Sequence, residues 1–178
     1  MSTLRVTAGA LRGRRVPLPP GDLRPTSERA RQAFFNIVGD RINAAQFLDL
    51  FAGSGIFSFE AVSRGATSST AVEHDRRKTE SIARIAKEWD VPVKAMQGEV
   101  LTTLKRFRDR FDVVYADPPY DFEGYDDLVE AIGELPLASD PVVAVEHRRR
   151  TDPFTERSGR LHAQRRAEYG EVWITFFA

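Results

Sequence analysis

Cysteine is missing from this chain of 178 residues, and its absence excludes disulfides, thiolate metal ligands and thiol nucleophiles. The three histidines (His74, His147 and His162) are scattered without the spacing of metal ligands, so no metal site is expected. No apolar run approaches membrane-spanning length, and the first residues lack the apolar segment of a signal peptide. We therefore expect one cytoplasmic domain that does not contact membranes.

An excess of charge of either sign is also missing, because 26 basic residues balance 26 acidic ones. The distribution is uneven, since residues 1–42 carry eight arginines against three acidic residues and residues 148–166 carry seven against two. The planar guanidinium of arginine can bond two phosphate oxygens at once. Two basic flanks around a neutral-to-acidic middle favour nucleic acid meeting a small-molecule pocket, although a solvated arginine-rich surface gives the same pattern.

The apolar pattern of the main part of the chain alternates between strand and helix periods. Strands are predicted at 46–51, 70–73, 91–97, 111–116 and 141–146, and helices at 56–63, 75–89, 100–107 and 126–135. A basic irregular connection at 147–159 leads into a closing antiparallel hairpin of segments 161–169 and 171–177. The pattern predicts a three-layer α/β fold with a mostly parallel sheet and an antiparallel C-terminal hairpin.

The first 42 residues predict an accessory arm. Segments 4–8 and 14–18 flank a glycine-containing turn and predict a small β-hairpin. After a proline-rich stretch, a helix is predicted from about Ser27 to Val38, capped by Thr26 and stopped by Gly39. We divide the chain into this N-terminal extension, 1–42, and a main domain, 43–178.

A glycine loop directly follows the first central strand, as Ala52-Gly53-Ser54-Gly55. Glycines at this place let the backbone close on a ligand, and the next helix presents unpaired N–H groups. The second strand ends in Glu73, where a carboxylate is placed to bond a ribose diol. Together the loop and this carboxylate predict a cofactor that carries a nucleoside.

The loop differs from a dinucleotide fingerprint, because Ser58 stands where a third glycine is expected. The first strand also carries Asp49, whose charge would repel a pyrophosphate but attract a positively charged amino group. A cofactor with an amino acid end, a ribose and an adenine fits these features better than NAD does. S-adenosylmethionine has all three parts.

The tetrapeptide Asp117-Pro118-Pro119-Tyr120, called the ledge below, follows the strand at 111–116. The prolines fix φ and restrict the residues before them to extended conformations. The ledge is therefore expected to be stiff, with a carboxylate, unused carbonyls and an aromatic face. An exocyclic amine could donate to Asp117 and to the Pro118 carbonyl while its ring stacks on Tyr120. A strand-ending proline turn is the alternative.

These motifs carry a resemblance to a known family. The stretch from Phe47 to Gly55, Val72-Glu73 and the ledge are similar to the motifs of class I S-adenosylmethionine-dependent amino-methyltransferases. The stretch Arg24 to Arg29, with Ala8-Gly9 and Gly13-Arg14 before it, resembles the bacterial 16S rRNA guanine-N2 methyltransferases of the RsmD type. The resemblance runs over nearly the whole chain. It implies the class I methyltransferase fold (Rossmann-like) with a small N-terminal β-hairpin and helix extension.

The resemblance also implies roles for individual residues. Methyl transfer from S-adenosylmethionine, without a metal, to the exocyclic N2 of a guanine in small-subunit ribosomal RNA would use the ledge, Asp117, Pro118, Pro119 and Tyr120, as catalytic residues. The cofactor would be bound by Asp49, Phe51, Ala52, Gly53, Gly55, Glu73, His74, Glu99, Val100 and Asp117, with Glu99 standing where the family usually has Asp. The RNA would be contacted by Arg5, Arg12, Arg14, Arg15, Arg24, Thr26, Arg29, Arg148 and Arg149. The implied enzyme is a monomer that acts on ribosomal RNA within a small-subunit particle.

Other interpretations use parts of the same pattern. A nicotinamide-dependent oxidoreductase would use the glycine loop but leaves the ledge unexplained. An adenine-N6 or cytosine-N4 methyltransferase acting on another RNA or on DNA shares the ledge, and an inactive RNA-binding assembly factor could share the fold. Glu146 and His147 stand at the end of a predicted strand, where they suit either the site or a structural role.

Overall fold

The computed structural model describes residues 2–18, 28–148, 154 and 159–178. The predicted helix cap at Thr26 and the predicted RNA contacts Arg24 and Arg149 lie outside these residues. Five α-helices are described, namely α1 (Glu28–Val38), α2 (Ile56–Ser63), α3 (Arg76–Trp89), α4 (Val100–Leu104) and α5 (Tyr125–Gly133). The described strands are β1 (Thr3–Arg5), β2 (Arg15–Pro17), β3 (Gln46–Leu50), β4 (Ser68–Glu73), β5 (Val93–Gln97), β6 (Phe111–Ala116), β7 (Leu137–Arg148), β8 (Ala163–Tyr169) and β9 (Val172–Phe177). None of the helices in the described residues is long and apolar enough to cross a membrane.

Seven strands form one sheet in the order β5-β4-β3-β6-β7-β9-β8. The pairs among β5, β4, β3, β6 and β7 are parallel, and β9 pairs antiparallel with both β7 and β8. The chain builds outward from β3 to β5 and then returns to add β6 on the other side of β3. In open α/β sheets the crevice beyond the carboxyl ends of the strands at such a reversal is where ligands bind.

Helices cover both faces of the sheet, because successive residues of each central strand point to opposite faces. On one face Phe47 belongs to a core that includes Phe34 of α1, Phe57 of α2 and Ile82 of α3. On the other face, Leu48 belongs to the core that α4 and α5 complete. The predicted three-layer architecture is confirmed.

The N-terminal arm packs on helix α2 and forms hydrogen bonds with it. Glu60 is fully buried and accepts hydrogen bonds from the Thr7 amide (2.8 Å) and from Arg64 Nε (2.9 Å). The Ser63 carbonyl accepts from the Ala10 amide at 2.8 Å. A β-carbon placed on Gly9 would lie 1.8 Å from that carbonyl oxygen, so only glycine permits the approach. The Ala8-Gly9 pair thus docks the β1–β2 hairpin onto the main sheet's helical layer.

One predicted boundary is wrong in a way that matters for the site. The sequence predicts that the fifth strand ends at Glu146, whereas β7 continues to Arg148. Antiparallel pairing with β9 extends it, since His147 lies opposite Trp173 and Arg148 opposite Val172. The predicted irregular connection therefore does not include His147 and Arg148.

Candidate active site

A cavity of about 980 Å³ lies beyond the carboxyl ends of β3, β4, β6 and β7. It brings together most of the residues that the sequence predicts for the cofactor and for catalysis. Those lining it are Asp49, Phe51, Ala52, Gly53, Glu73, His74, Glu99, Val100, Asp117, Pro118, Pro119 and Tyr120. Gly55 does not line the cavity. A β-carbon at Gly55 would come within 2.9 Å of Ile82, so this glycine lets α2 pack on α3.

The backbone after β3 turns through unusual conformations. Phe51 has φ +61°, in the left-handed region that a bulky side chain rarely adopts, and Gly53 follows with φ +55°. Phe51 is held there by an edge-on contact with Phe122, 5.4 Å between ring centres. The turn leaves open space where a side chain of residue 53 would point, and thus exposes backbone to the cavity.

Asp49 lies on the floor of the cavity and is almost fully buried. Its Oδ2 accepts hydrogen bonds from the Ser58 amide at 3.1 Å and the Ser58 hydroxyl at 2.7 Å. Burial raises the pKa of Asp49 to about 7, even though both bonds from Ser58 oppose the shift. Ser58, which marks the missing third glycine, therefore holds the carboxylate in place.

Glu73 at the end of β4 is fixed by hydrogen bonds from two backbone amides. One carboxylate oxygen accepts from the Gly53 amide at 2.8 Å, and the other accepts from the Asp75 amide at 2.9 Å. His74 Nδ1 lies 2.9 Å from that second oxygen. The carboxylate thus joins the glycine loop to the start of α3, and its remaining acceptor capacity faces the cavity.

The ledge leaves β6 beside β3, where the Asp117 amide donates to the Leu50 carbonyl at 3.2 Å. The sequence predicts that the carbonyls of the ledge are all unused, but this is wrong for Pro119. Its carbonyl accepts a hydrogen bond from the Phe122 amide at 2.9 Å and closes a turn. No described residue donates to the Pro118 carbonyl. Tyr120 is 51% exposed, the one large hydrophobic side chain among the described residues with such exposure.

One further carboxyl group, Glu146, and one phenol, Tyr115, lie beside the ledge. Glu146 of β7 lines the cavity although it is 7% exposed, and the buried Tyr115 hydroxyl donates to its Oε2 in a short hydrogen bond. Of the two residues left open by the sequence, Glu146 reaches the site. His147 instead bonds the Thr175 hydroxyl at 2.8 Å. Tyr115 gave no sequence signal beyond its place in a buried strand.

The arm also contributes to the cavity wall through Leu4 of β1 and Leu18, which directly follows β2. They carry no sequence signal, because they are ordinary apolar residues whose position depends on how the hairpin docks. Lys78 of α3 likewise lines the cavity without a motif to mark it.

The predicted RNA-contacting arginines do not converge on one cavity. Arg5 and Arg12 line a second cavity of about 410 Å³, together with Arg64. Arg14 lies over Trp89, and Arg15 donates to the Thr3 hydroxyl at 3.2 Å. Exposed Arg29 is on α1. Arg148 alone of those described stands at the ledge, with its guanidinium carbon 3.7 Å from the centre of the Tyr120 ring.

The donor set around the main cavity fits an organic cofactor with a cationic end and a ribose. Asp49 supplies a carboxylate for an ammonium group, and Glu73 supplies one for a diol. No group of three or more possible metal ligands occurs within the part of the chain that the structure describes.

A glycine loop after β3, a carboxylate ending β4 and a proline ledge after β6 on this sheet define the class I methyltransferase fold. The sequence profile of the family described as Conserved hypothetical protein 95 matches residues 4–178. The chain belongs to this family, which is the RsmD family of S-adenosylmethionine-dependent methyltransferases. The resemblance and the fold class predicted from the sequence are both confirmed.

Individual relatives agree with this assignment. Ribosomal RNA small subunit methyltransferase D of Escherichia coli (strain K12) is 35% identical over 120 residues, which cover 66% of this chain and 60% of the relative. The aligned segment therefore spans less than two thirds of that relative. The solved structure of yhhF from Escherichia coli superposes with a TM-score of 0.84 at 26% identity, covering 99% of this chain and 97% of that one.

A more distant structure shows the same fold. The 16S rRNA N2 G1207 methyltransferase (RsmC) of Thermus thermophilus, in complex with AdoMet and guanosine, has a TM-score of 0.75 at 19% identity. The match covers 98% of this chain and 49% of that chain.

Proposed function

We propose that this protein transfers a methyl group from S-adenosylmethionine to the exocyclic N2 of a guanine in small-subunit ribosomal RNA. The observation that carries the proposal is that the Asp49–Glu73 side and the ledge meet in a shared cavity. The name of the Escherichia coli relative, a ribosomal RNA small subunit methyltransferase, supports the substrate class. The RsmC structure is named as that of an N2 G1207 methyltransferase. Its similar fold supports, by analogy, guanine N2 as the atom that is methylated.

The cofactor is bound at the ends of β3, β4 and β5. Asp49 would pair with the ammonium of the methionine end, Glu73 would accept from the ribose hydroxyls, and Glu99 and Val100 would hold the adenine. Phe51, Ala52 and Gly53 would hold the methionine end through their backbone, and His74 would contact the ribose. When bound, S-adenosylmethionine would supply its sulfonium methyl to a nitrogen lone pair and leave as S-adenosylhomocysteine, while the amine would lose one proton to Asp117 or to water.

The acceptor base is held at the ledge. The guanine amine is a poor nucleophile because its lone pair is delocalised into the ring. Asp117 and the Pro118 carbonyl accept the two N–H groups, which favours a tetrahedral nitrogen and turns its lone pair toward the cofactor side of the cavity. Pro119 stiffens the ledge and Tyr120 stacks on the base. The base must be unpaired or flipped to reach this position.

Finer parts of the proposal concern the context of the reaction. The substrate is ribosomal RNA within a small-subunit particle, and the enzyme acts as a monomer in the cytoplasm. Residues 1–42 serve as an RNA-binding extension of the domain 43–178. The described arginines of the arm and Arg148 contact phosphates, and Arg24, Thr26 and Arg149 complete this set.

The direct test is tritiated methyl transfer by the purified chain to naked ribosomal RNA, assembled small subunits and DNA, followed by nucleoside analysis. We expect N2-methylguanosine from ribosomal RNA, with the assembled subunit as the best substrate. Methylated adenine or cytosine would show that guanine N2 is not the target atom. Methyl transfer to DNA would show that ribosomal RNA is not the substrate class. Absence of transfer to any of them, with S-adenosylmethionine still bound, would favour an assembly factor.

A further inference from the structure

Glu146 is a buried carboxyl in the acceptor part of the cavity that the proposed reaction does not use. Strand β7 pairs with β6 so that Val145 lies opposite Ala116. The next residue along each chain is Glu146 and Asp117 respectively. Adjacent strands lie about 4.8 Å apart, so these two acidic residues are neighbours at the sheet edge.

Both side chains project from the same face of the sheet as the cofactor-side carboxylate. Asp49 lies opposite Tyr115, and Tyr115 lies opposite Ala144. Because side chains alternate, Asp117 and Glu146, two residues further along, share that face. Asp49 thus stands on the cofactor side of Asp117, and Glu146 on the side away from the cofactor.

The contacts of Glu146 leave one oxygen for a ligand. Its Oε2 accepts from the Tyr115 hydroxyl, and no other described residue forms a hydrogen bond with the carboxyl group. Tyr115 is itself fixed by stacking on Phe57 with 3.9 Å between ring centres. The carboxyl group is therefore oriented from behind and presents Oε1 toward the cavity it lines.

The bases with an exocyclic amine differ in the ring nitrogen beside it. Guanine carries N1–H next to its N2 amine, so two neighbouring groups donate. Adenine N1 and cytosine N3, next to their amines, are acceptors with a lone pair. A second carboxylate beside Asp117 therefore matches the two donors of guanine, and in its ionised form it repels the lone pair of the other two bases.

We propose that Glu146 selects guanine, by accepting the hydrogen bond of the guanine N1–H while Asp117 accepts from the N2 amine. This inference rests on the proposed function and adds the residue that decides which base is methylated. Glu146 acts as a specificity-determining residue, and Tyr115 acts through it as a positioning residue.

The electrostatics of the pair favour the neutral acid form of Glu146, so selection of guanine depends on a bound donor that favours its ionisation. Burial raises the pKa of Glu146 well above its usual range, and the neighbouring charge of Asp117 adds to the shift. A donor that faces the carboxylate opposes this shift, as the Tyr115 hydroxyl does. Guanine offers a second such donor, whereas adenine and cytosine offer none, so only guanine favours the ionised form.

The test changes the hydrogen-bonding group on each side of the proposed contact between Glu146 and the base. The donor at N1 of the base becomes an acceptor, and the acceptor at residue 146 becomes a donor. In the RNA, the guanine found by nucleoside mapping is replaced with 2-aminopurine, which keeps the 2-amino group but has an acceptor at N1. In the protein, Glu146→Gln presents an amide that can donate to that acceptor. Single-turnover methyl transfer is measured for both proteins on both RNAs, at saturating S-adenosylmethionine.

We expect the unaltered protein to prefer guanine and Glu146→Gln to lose or reverse that preference, changing the ratio of the two rates by about 10- to 100-fold. Tyr115→Phe, which removes only the hydroxyl behind Glu146, should reduce the preference by a smaller factor. Glu123→Gln removes an acidic charge from the exposed loop after the ledge and should leave the ratio unchanged. Thermal melting and calorimetric binding of S-adenosylmethionine verify that each variant is folded.

The outcomes separate this inference from the proposed function. If the unaltered protein methylates guanine and Glu146→Gln keeps the same base preference while binding S-adenosylmethionine normally, the role of Glu146 is wrong and the function stands. If the unaltered protein transfers no methyl group to guanine in RNA, the proposed function itself fails.

Discussion

The two halves of the cavity are built differently. In the cofactor half, at the ends of β3 and β4, the carboxylates are fixed by residues of one continuous segment that runs from β3 to the start of α3. Ser58 bonds Asp49 from nine positions away, and Gly53 and Asp75 bond Glu73 from 20 and two positions away. In the acceptor half, at the ends of β6 and β7, the pair of Tyr115 and Glu146 joins residues 31 positions apart. The first half is organised locally, and the second depends on how strands and arm pack together.

This difference bears on how each half recognises its ligand. The cofactor half owes its geometry to hydrogen bonds inside one continuous segment, from β3 through α2 and β4 to the start of α3. The acceptor half places an exposed ring, Tyr120, beside the half-buried Asp117 and the buried Glu146, and the arm adds Leu4 and Leu18 to the cavity wall. Changes in the acceptor half should therefore alter base choice and rate without altering cofactor affinity.

The largest expected effect tests that separation directly. Asp117→Ala removes the carboxylate that accepts from the amine, so the rate of methyl transfer should fall by about 10²–10⁴-fold. Binding of S-adenosylmethionine, measured by calorimetry, should survive because Asp49 and Glu73 keep their own hydrogen bonds. Near-normal turnover in this variant would contradict the assignment of the ledge as the acceptor site.

The reciprocal change belongs to the cofactor half. Asp49→Asn removes a charge that would pair with the cofactor ammonium, a loss of about 1.5–3 kcal/mol in binding free energy. For the unaltered protein, affinity for S-adenosylmethionine should rise as the pH increases through about 7, where Asp49 loses its proton. The Asp49→Asn variant should show no such step. If both proteins show the same pH dependence, Asp49 does not hold the ammonium.

Asp49→Asn, which weakens cofactor binding, should increase the stability of the folded chain. The pKa of Asp49 is about 7 in the folded chain and about 3.8 in the unfolded chain, so the folded state loses stability as the pH rises between these values and loses no more above 7. At pH 8, Asp49→Asn should therefore raise the free energy of unfolding, by up to a few kcal/mol, while it weakens cofactor binding. Chemical denaturation at pH 5 and pH 8 measures the difference, which should shrink at the lower pH.

The contrast between the halves also explains what the sequence predicts. The glycine loop, Asp49 and Glu73 form a local pattern, and the structure places all three around one cavity. Residues such as Tyr115 and Leu4 have no local signal, since a buried strand tyrosine and an arm leucine look alike whether or not they reach a site. The end of β7 was mispredicted for the same reason, because its last residues are strand only through pairing with distant β9.

A smaller effect is expected at the exposed ring of the acceptor half. Tyr120→Ala should cost about 1–3 kcal/mol in binding of the acceptor RNA through lost stacking, whereas Tyr120→Phe keeps the ring and should be mild. Fluorescence anisotropy with labelled RNA compares the two variants. Equal and severe losses in both would indicate that the hydroxyl, rather than the ring face, is required.

The smallest effect on RNA binding is expected at Arg148, where two substitutions distinguish its charge from its stacking on Tyr120. Its guanidinium lies on one face of Tyr120, so it can both contact a phosphate and steady the ring on which the base stacks. Arg148→Ala should weaken RNA binding and lower the slope of log affinity against log salt by about 1, as expected for one phosphate contact. Arg148→Lys keeps the charge without the planar stack, so the slope should stay while affinity falls slightly. If the alanine variant keeps the original slope, Arg148 serves Tyr120 alone, and phosphate contacts belong to the arm.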